Sequence, residues 1–198
     1  MNLANKLTTL RLVLAPVFFV IYLLPSFFPS WFLHGSGWTV PVLLFIFIGS
    51  QITDLLDGIA ARRRNETSDF GRLFDPFADT LMQLTCFLCF VVDGFFPAIL
   101  FLIIIYREFG ILFIRNIMLK KGITMGARLG GKIKTVTYIV AGGAALLTIC
   151  LQRLALFEFI IPYFKIGANI IFMISVAVSV ISFIDYFIIY RKTAKSDE

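Results

Sequence analysis

Charge is scarce in this chain. Asp, Glu, Lys and Arg make up 15% of its 198 residues, whereas a soluble domain carries about 25%. Hydrophobic residues reach 59% and the mean hydropathy is +0.92, so a water-soluble globule is excluded and an integral membrane protein is expected. Histidine is almost missing: His34 stands alone in a short loop, which argues against His-based metal or acid–base chemistry. Cysteine is limited to three residues. Cys86 and Cys89 form a CxxC inside an apolar run with no second pair and no histidine near it, which reads as buried thiols and not as a metal or redox site. No internal repeat or low-complexity tract interrupts the chain. The first apolar span is long and runs directly into Pro and aromatic residues, unlike a cleaved signal. The length suits one helical bundle, so residues 1–198 are expected to form a single membrane domain.

What is present is a series of apolar runs. A span needs about 20 such residues to cross the hydrocarbon, and six runs approach that length: about 7–24, 39–61, 72–92, 96–119, 135–151 and 166–190. The first is expected to end at Pro25. Residues 25–38 form a loop with Trp31 and Trp38 suited to the interface. Asp93-Gly94 makes a turn, and a basic, glycine-rich connector leads to Lys134. Six helices put both termini on one side. That side carries fourteen Lys and Arg residues, against Arg153 and Lys165 on the other. The bias makes both termini cytoplasmic. The net charge of +6 therefore reads as topology and contact with anionic lipid head groups, and nucleic acid is not expected as a partner.

Against this background four carboxylates stand out. Asp54 and Asp57 end the second run and Asp75 and Asp79 begin the third, where a charge at membrane depth costs a few kcal/mol or more. At 100° per helical residue, Asp54 and Asp57 lie about 60° apart, with Gly58 and Ala61 close to the same face. Gly71, Asp75 and Asp79 step by four and share another face. All four acids fall at the cytoplasmic end. Two helices that each present a carboxylate pair beside small residues could hold divalent metal against a phosphate. Arg62 supplies a planar cation for phosphate oxygens. Two other readings compete. The acids could simply neutralise Arg62, Arg63, Arg72 or Arg107, but ion pairing alone does not require four acids at these spacings beside Gly58, Ala61 and Gly71. They could be the relay of a transporter, but they cluster at one face and no inverted repeat is present.

The string Asp54-x2-Asp57-Gly58-x2-Ala61-Arg62-x8-Gly71-x3-Asp75-x3-Asp79 resembles the signature of the CDP-alcohol phosphatidyltransferases, with every specified position met. Asn5-x2-Thr8-x2-Arg11 before the first span is similar to the family's N-terminal motif, and the six-span layout is the family's too. The resemblance implies that Asp54, Asp57 and Asp75 ligate metal, and that Asp79 is both ligand and general base. It implies two ions, Mg²⁺ or Mn²⁺. Asp54, Asp57, Gly58, Ala61, Arg62, Ser68 and Gly71 would line the cytidine diphosphate site, with Asn5 and Thr8 approaching from the first helix. It further implies a homodimer in the cytoplasmic membrane of a bacterium, with the site at the cytoplasmic face.

The signature leaves the acceptor open. Arg107 and Arg115 lie two helical turns apart in the fourth run, and Lys132 and Lys134 open the fifth. Arg107 is too deep for a topology anchor and needs either Glu108 or an anion. Together the four make a basic wall beside an acidic site, which suits an acceptor bearing its own phosphate. The Arg-Glu segment and the Gly-Lys-x-Lys-Thr string resemble the glycerol-3-phosphate branch of the family, although Thr80 stands where that branch carries lysine. The expected reaction moves a phosphatidyl group from CDP-diacylglycerol to glycerol 3-phosphate and releases CMP. Inositol phosphate, serine, or diacylglycerol with CDP-choline as donor remain alternatives.

Overall fold

The computed structural model describes residues 3–32, 35–64, 69–120 and 129–195; of these, the side chains of residues 3–7, 31, 54–64, 69–73, 75 and 192–195 lie outside the described set. His34, Ser68 and the connector at 121–128 lie outside the described residues. Within them the fold is all-helical: α1 (Leu3–Phe27), a 3-10 turn (Pro29–Phe32), α2 (Thr39–Arg64), α3 (Asp69–Val92), α4 (Ala98–Lys120), α5 (Leu129–Arg153) and α6 (Ile161–Lys195). Among the described residues three stretches are long and apolar enough to cross a membrane, Thr8–Phe27, Leu129–Arg153 and Ile161–Arg191, and two shorter apolar ones are Thr39–Thr53 and Pro76–Val92. Large apolar side chains such as Phe45, Phe113 and Ile181 are exposed on the outer faces, as a lipid-facing surface requires.

Side-chain contacts set the helix directions. Tyr22 meets Asp93 while Arg11 meets Asp79, so α1 and α3 run parallel. Arg107 meets Ser179 while Arg115 meets Tyr186, so α4 and α6 run parallel. Arg153, at the end of α5, reaches Thr39 at the start of α2 and Tyr22 near the end of α1. Asn169, near the start of α6, donates to Phe95 just past α3. One end of the bundle thus gathers the starts of α1, α3 and α5 with the ends of α2, α4 and α6. Closest packing joins α5 to α6, α1 to α3 and α2, and α4 to α6.

Several helix boundaries differ from those the apolar runs suggest. Pro25 does not end α1: it lies inside the helix, and Phe28 N–H still bonds Leu24 O at 3.1 Å. Proline gives up its own donor and crowds the carbonyl four residues back, yet near a helix end the chain continues for a short way past it. The fifth helix starts at Leu129, not Thr135, and Gly130 lets its first turn approach α6 closely. A Cβ there would stand 3.2 Å from Ser182 Oγ. Gly130, Gly131, Lys132 and Lys134 are therefore helical and not part of a connector. The expected turn after α3 is present. Gly94 has φ +65°, Phe95 N–H bonds Phe90 O at 2.8 Å and Gly94 N–H bonds Val91 O at 2.9 Å, the paired bonds of a left-handed helix stop.

Away from the gathered end, the core is aromatic. Phe96 stacks on Phe172 at 3.9 Å and 3°, while Phe87 meets Phe96, Phe172 and Tyr138 edge-on, the geometry that ring quadrupoles favour. A polar clamp closes this end. Arg153 Nη1 donates to Thr39 Oγ1 and its Nη2 to Tyr22 O, both at 2.7 Å, its guanidinium lies 4.7 Å from the Tyr22 ring, and Tyr22 Oη donates to Asp93 Oδ2 at 2.9 Å. One side chain thereby fastens α1, α2 and α5, with α3 attached through Tyr22. Arg153→Met is expected to weaken the fold by about 1.5–3 kcal/mol, the value of hydrogen bonds to a charged group. A lowered unfolding midpoint in detergent checks this; an unchanged midpoint would show the clamp to be idle.

Candidate active site

The gathered end holds the acids. Asp54, Asp57, Gly58, Ala61 and Arg62 occupy the last turns of α2, and Gly71, Asp75 and Asp79 the first turns of α3. Asp79 is the one whose side chain is described. Asn5 lies in the first turns of α1 with its side chain outside the described set, and Thr8, one turn on, is fully buried. Because α1 packs on both α2 and α3, the helix bearing Asn5 and Thr8 lies beside the two that carry the acids.

The bond that joins α1 to the acids is one that composition and spacing left unassigned. Arg11 is buried at 1% exposure, and its Nη1 pairs with Asp79 Oδ1. A guanidinium at that depth requires a carboxylate or an equivalent acceptor. The signal for it was the Thr8–Arg11 spacing of three, which sets both residues on the face of α1 that turns inward. In sequence alone Arg11 reads equally well as one of the many cytoplasmic basic residues.

Asp79 lies between two cavities. The larger, about 260 Å³, is lined by Asp79 and Thr80 from α3, Arg107, Glu108 and Arg115 from α4, Lys132 and Lys134 from α5, and Tyr186 from α6, with apolar neighbours. All four basic residues singled out from sequence therefore surround one space together with the last aspartate. The smaller cavity, about 150 Å³, shares Asp79, Thr80, Glu108, Lys134 and Thr135 and continues past Arg11 to Ser50, Gln51 and Gln83.

The four cations are held differently. Arg107, 5% exposed, donates from Nε to Ser179 O at 3.1 Å, from Nη2 to Ser182 Oγ at 3.2 Å and from Nη1 to Glu108 Oε1 at 2.9 Å. Lys134 Nζ reaches the same Glu108 oxygen at 3.0 Å and lies 4.7 Å from the Tyr138 ring, whose hydroxyl is 2.7 Å from Ser179 Oγ. Arg115 Nη2 donates to Tyr186 Oη at 3.3 Å, and its guanidinium sits 5.6 Å from that ring. Its Nε is buried without an acceptor among the described residues. Lys132 is exposed. Of the two sources of compensation open to Arg107, Glu108 is present; Arg115 has a buried donor left over, a group that costs about 1–3 kcal/mol unless something accepts from it.

The donor set at this end is all oxygen. Carboxylates spaced i, i+3 on α2 and i, i+4 on α3 are the ligands that hard divalent cations prefer, so the residues present fit Mg²⁺ or Mn²⁺.

Comparison with known proteins follows the same lines. A sequence profile described as CDP-alcohol phosphatidyltransferase matches residues 1–184. The CDP-diacylglycerol–glycerol-3-phosphate 3-phosphatidyltransferase of Treponema pallidum (strain Nichols) is 37% identical over 194 residues, covering 94% of this chain and 88% of the relative. Proteins of the same name from Bacillus subtilis (strain 168) and Pseudomonas fluorescens are 35% and 31% identical over 150 and 137 residues. These cover 74% and 68% of this chain, and 77% and 64% of the relatives. The signature that runs unbroken from α2 into α3 is thus embedded in similarity extending over almost the whole sequence, and the chain belongs to the CDP-alcohol phosphatidyltransferase family.

Proposed function

We infer that this protein transfers the phosphatidyl group of CDP-diacylglycerol to sn-glycerol 3-phosphate, giving phosphatidylglycerophosphate and CMP. The observation that carries the reading is the single pocket in which Arg107, Arg115, Lys132 and Lys134 face Asp79. A base and an anion site in one small space suit an acceptor with a hydroxyl at one end and a phosphate at the other. The relatives that carry this activity in their names support the same assignment.

The roles we propose are these. Asp54, Asp57, Asp75 and Asp79 would hold the divalent ions, which when bound supply charge neutralisation for the diphosphate and polarise the reacting phosphorus. Gly58, Ala61, Arg62, Ser68 and Gly71, with Asn5 and Thr8 from α1, receive the cytidine diphosphate moiety. Arg115 and the two lysines take the acceptor's phosphate, with the spare Arg115 Nε as a ready donor. Asp79 accepts the proton of the acceptor hydroxyl as its oxygen bonds to the phosphorus bearing the diacylglycerol. The bond from that phosphorus to the CMP oxygen breaks, and CMP leaves. Arg11, paired with Asp79 here, orients that carboxylate between the two cavities. Six spans, cytoplasmic termini and a homodimer belong to the same reading; the bias of basic residues toward the gathered end supports the orientation.

An acceptor screen with purified protein and CDP-diacylglycerol tests the function directly, with inositol phosphate, serine and diacylglycerol as competing acceptors; a lipid product other than phosphatidylglycerophosphate overturns it. Asp57→Ala and Asp75→Ala should abolish product formation with Mg²⁺ while the protein stays folded in detergent, and near-normal turnover in either removes the metal assignment. Asp79→Asn keeps the shape of the side chain but not its basicity, so kcat should collapse while CDP-lipid binding survives. For Arg115→Gln the loss of a charge-assisted hydrogen bond, about 1.5–3 kcal/mol, should raise KM for glycerol 3-phosphate on the order of tenfold to a hundredfold, with KM for CDP-diacylglycerol little changed. Equal rises in both would make Arg115 structural.

A further inference from the structure

Glu108 has no part in the chemistry described so far, yet it is the most enclosed acid among the described side chains at this end. It is 4% exposed and contributes to the wall shared by both cavities. Its Oε1 accepts from Arg107 Nη1 at 2.9 Å and from Lys134 Nζ at 3.0 Å, so one carboxylate occupies two of the four cations of the larger pocket. Arg107 does not depend on it for position, since Ser179 O and Ser182 Oγ already anchor the guanidinium to α6. Arg115 and Lys132 have no carboxylate at ion-pair distance among the described residues.

The balance of charge around the pocket follows. Its lining carries four cations and two carboxylates, Asp79 and Glu108, a surplus of two positive charges. A phosphate monoester brings about −1.5 to −2 at neutral pH. Without Glu108 the surplus would be three, which favours more highly charged anions and tighter binding of any single phosphate.

We propose that Glu108 is a specificity-determining residue: it is the resident counter-ion of Arg107 and Lys134, and it tunes the pocket to one phosphate group by competing for those two cations. The proposal rests on the reading in which the acceptor carries a phosphate. An incoming phosphate first meets Arg115 and Lys132, and draws Lys134 away from Glu108 only as far as its charge can compensate. Discrimination of this kind comes from a built-in competitor as much as from attractive contacts.

The test is inhibition by inorganic phosphate and by sulfate, competed against glycerol 3-phosphate, in the full-length protein with its divalent ion present. In the wild type both anions should compete with the acceptor. In Glu108→Gln their inhibition constants should fall on the order of tenfold, as expected when a negative charge several ångströms away is removed in a partly screened site. KM for CDP-diacylglycerol should stay within about twofold. If turnover is too slow to measure, the sulfate-dependent rise in unfolding midpoint reads the same site and should be larger in the variant. If Glu108→Gln does not fold, Glu108→Asp, which keeps the charge but draws it back from Lys134, should show a smaller fall in the same direction. Anion inhibition that is unchanged or weaker in the variant that folds would overturn the role of Glu108 and make it a strut. Absence of phosphate and sulfate competition in the wild type would instead overturn the phosphorylated-acceptor reading, and this proposal with it.

Discussion

A charge inside a hydrocarbon-facing bundle needs a partner, and in this protein most of those partners come from other helices. Arg107 binds α4 to α6 through Ser179 and Ser182, and through Glu108 it is linked to Lys134 on α5. Arg11 binds α1 to α3 through Asp79. Leaving any of these groups buried and unpaired would cost several kcal/mol, so the helix ends at the gathered side are held in register by electrostatics. The apolar contacts that fill the rest of the bundle are less directional. The requirement that stabilises this end also concentrates ionisable groups there, so the same constraint that orders the fold assembles the site.

The two ends of the bundle divide the work. The far end is fastened by aromatic packing around Phe87, Phe96 and Phe172 and by the Arg153 clamp, with few open polar groups. The near end keeps two cavities that share a wall, a partly exposed Asp79 and a buried donor on Arg115 that has no acceptor among the described residues. Rigid closure at one end lets the other carry unsatisfied groups without loosening the helices. That is the arrangement expected where a charged substrate completes the structure.

In the proposed reaction Asp79 is the residue that joins the donor half to the acceptor half. It belongs to the carboxylate set on α2 and α3, it lines both cavities, and its partner Arg11 comes from the helix that also carries Asn5 and Thr8. Thr80 beside it opens into the same two spaces. Thr80 brings no charge of its own, and the positive charge of the larger space is supplied by Arg107 and Arg115 from α4 and by Lys132 and Lys134 from α5.

The sequence by itself determined the helical class, the placement of most helices and the carboxylate string, because each depends on local patterns: apolar runs long enough to span, and acids repeated at helical spacing. It also pointed to Arg107, Arg115, Lys132 and Lys134, since cations within or beside apolar runs are costly enough to notice singly. It misplaced the end of α1, where a proline is tolerated inside the helix, and the start of α5, where Gly130 is seated against Ser182, a contact distant in the chain. Only the tertiary structure decided how those charges are paired. Arg11 with Asp79, Glu108 with both Arg107 and Lys134, and Arg115 with a donor to spare are matters of which helix faces which. Residues such as Arg107 and Ser179 are brought together by packing of whole helices, and no local periodicity encodes that meeting.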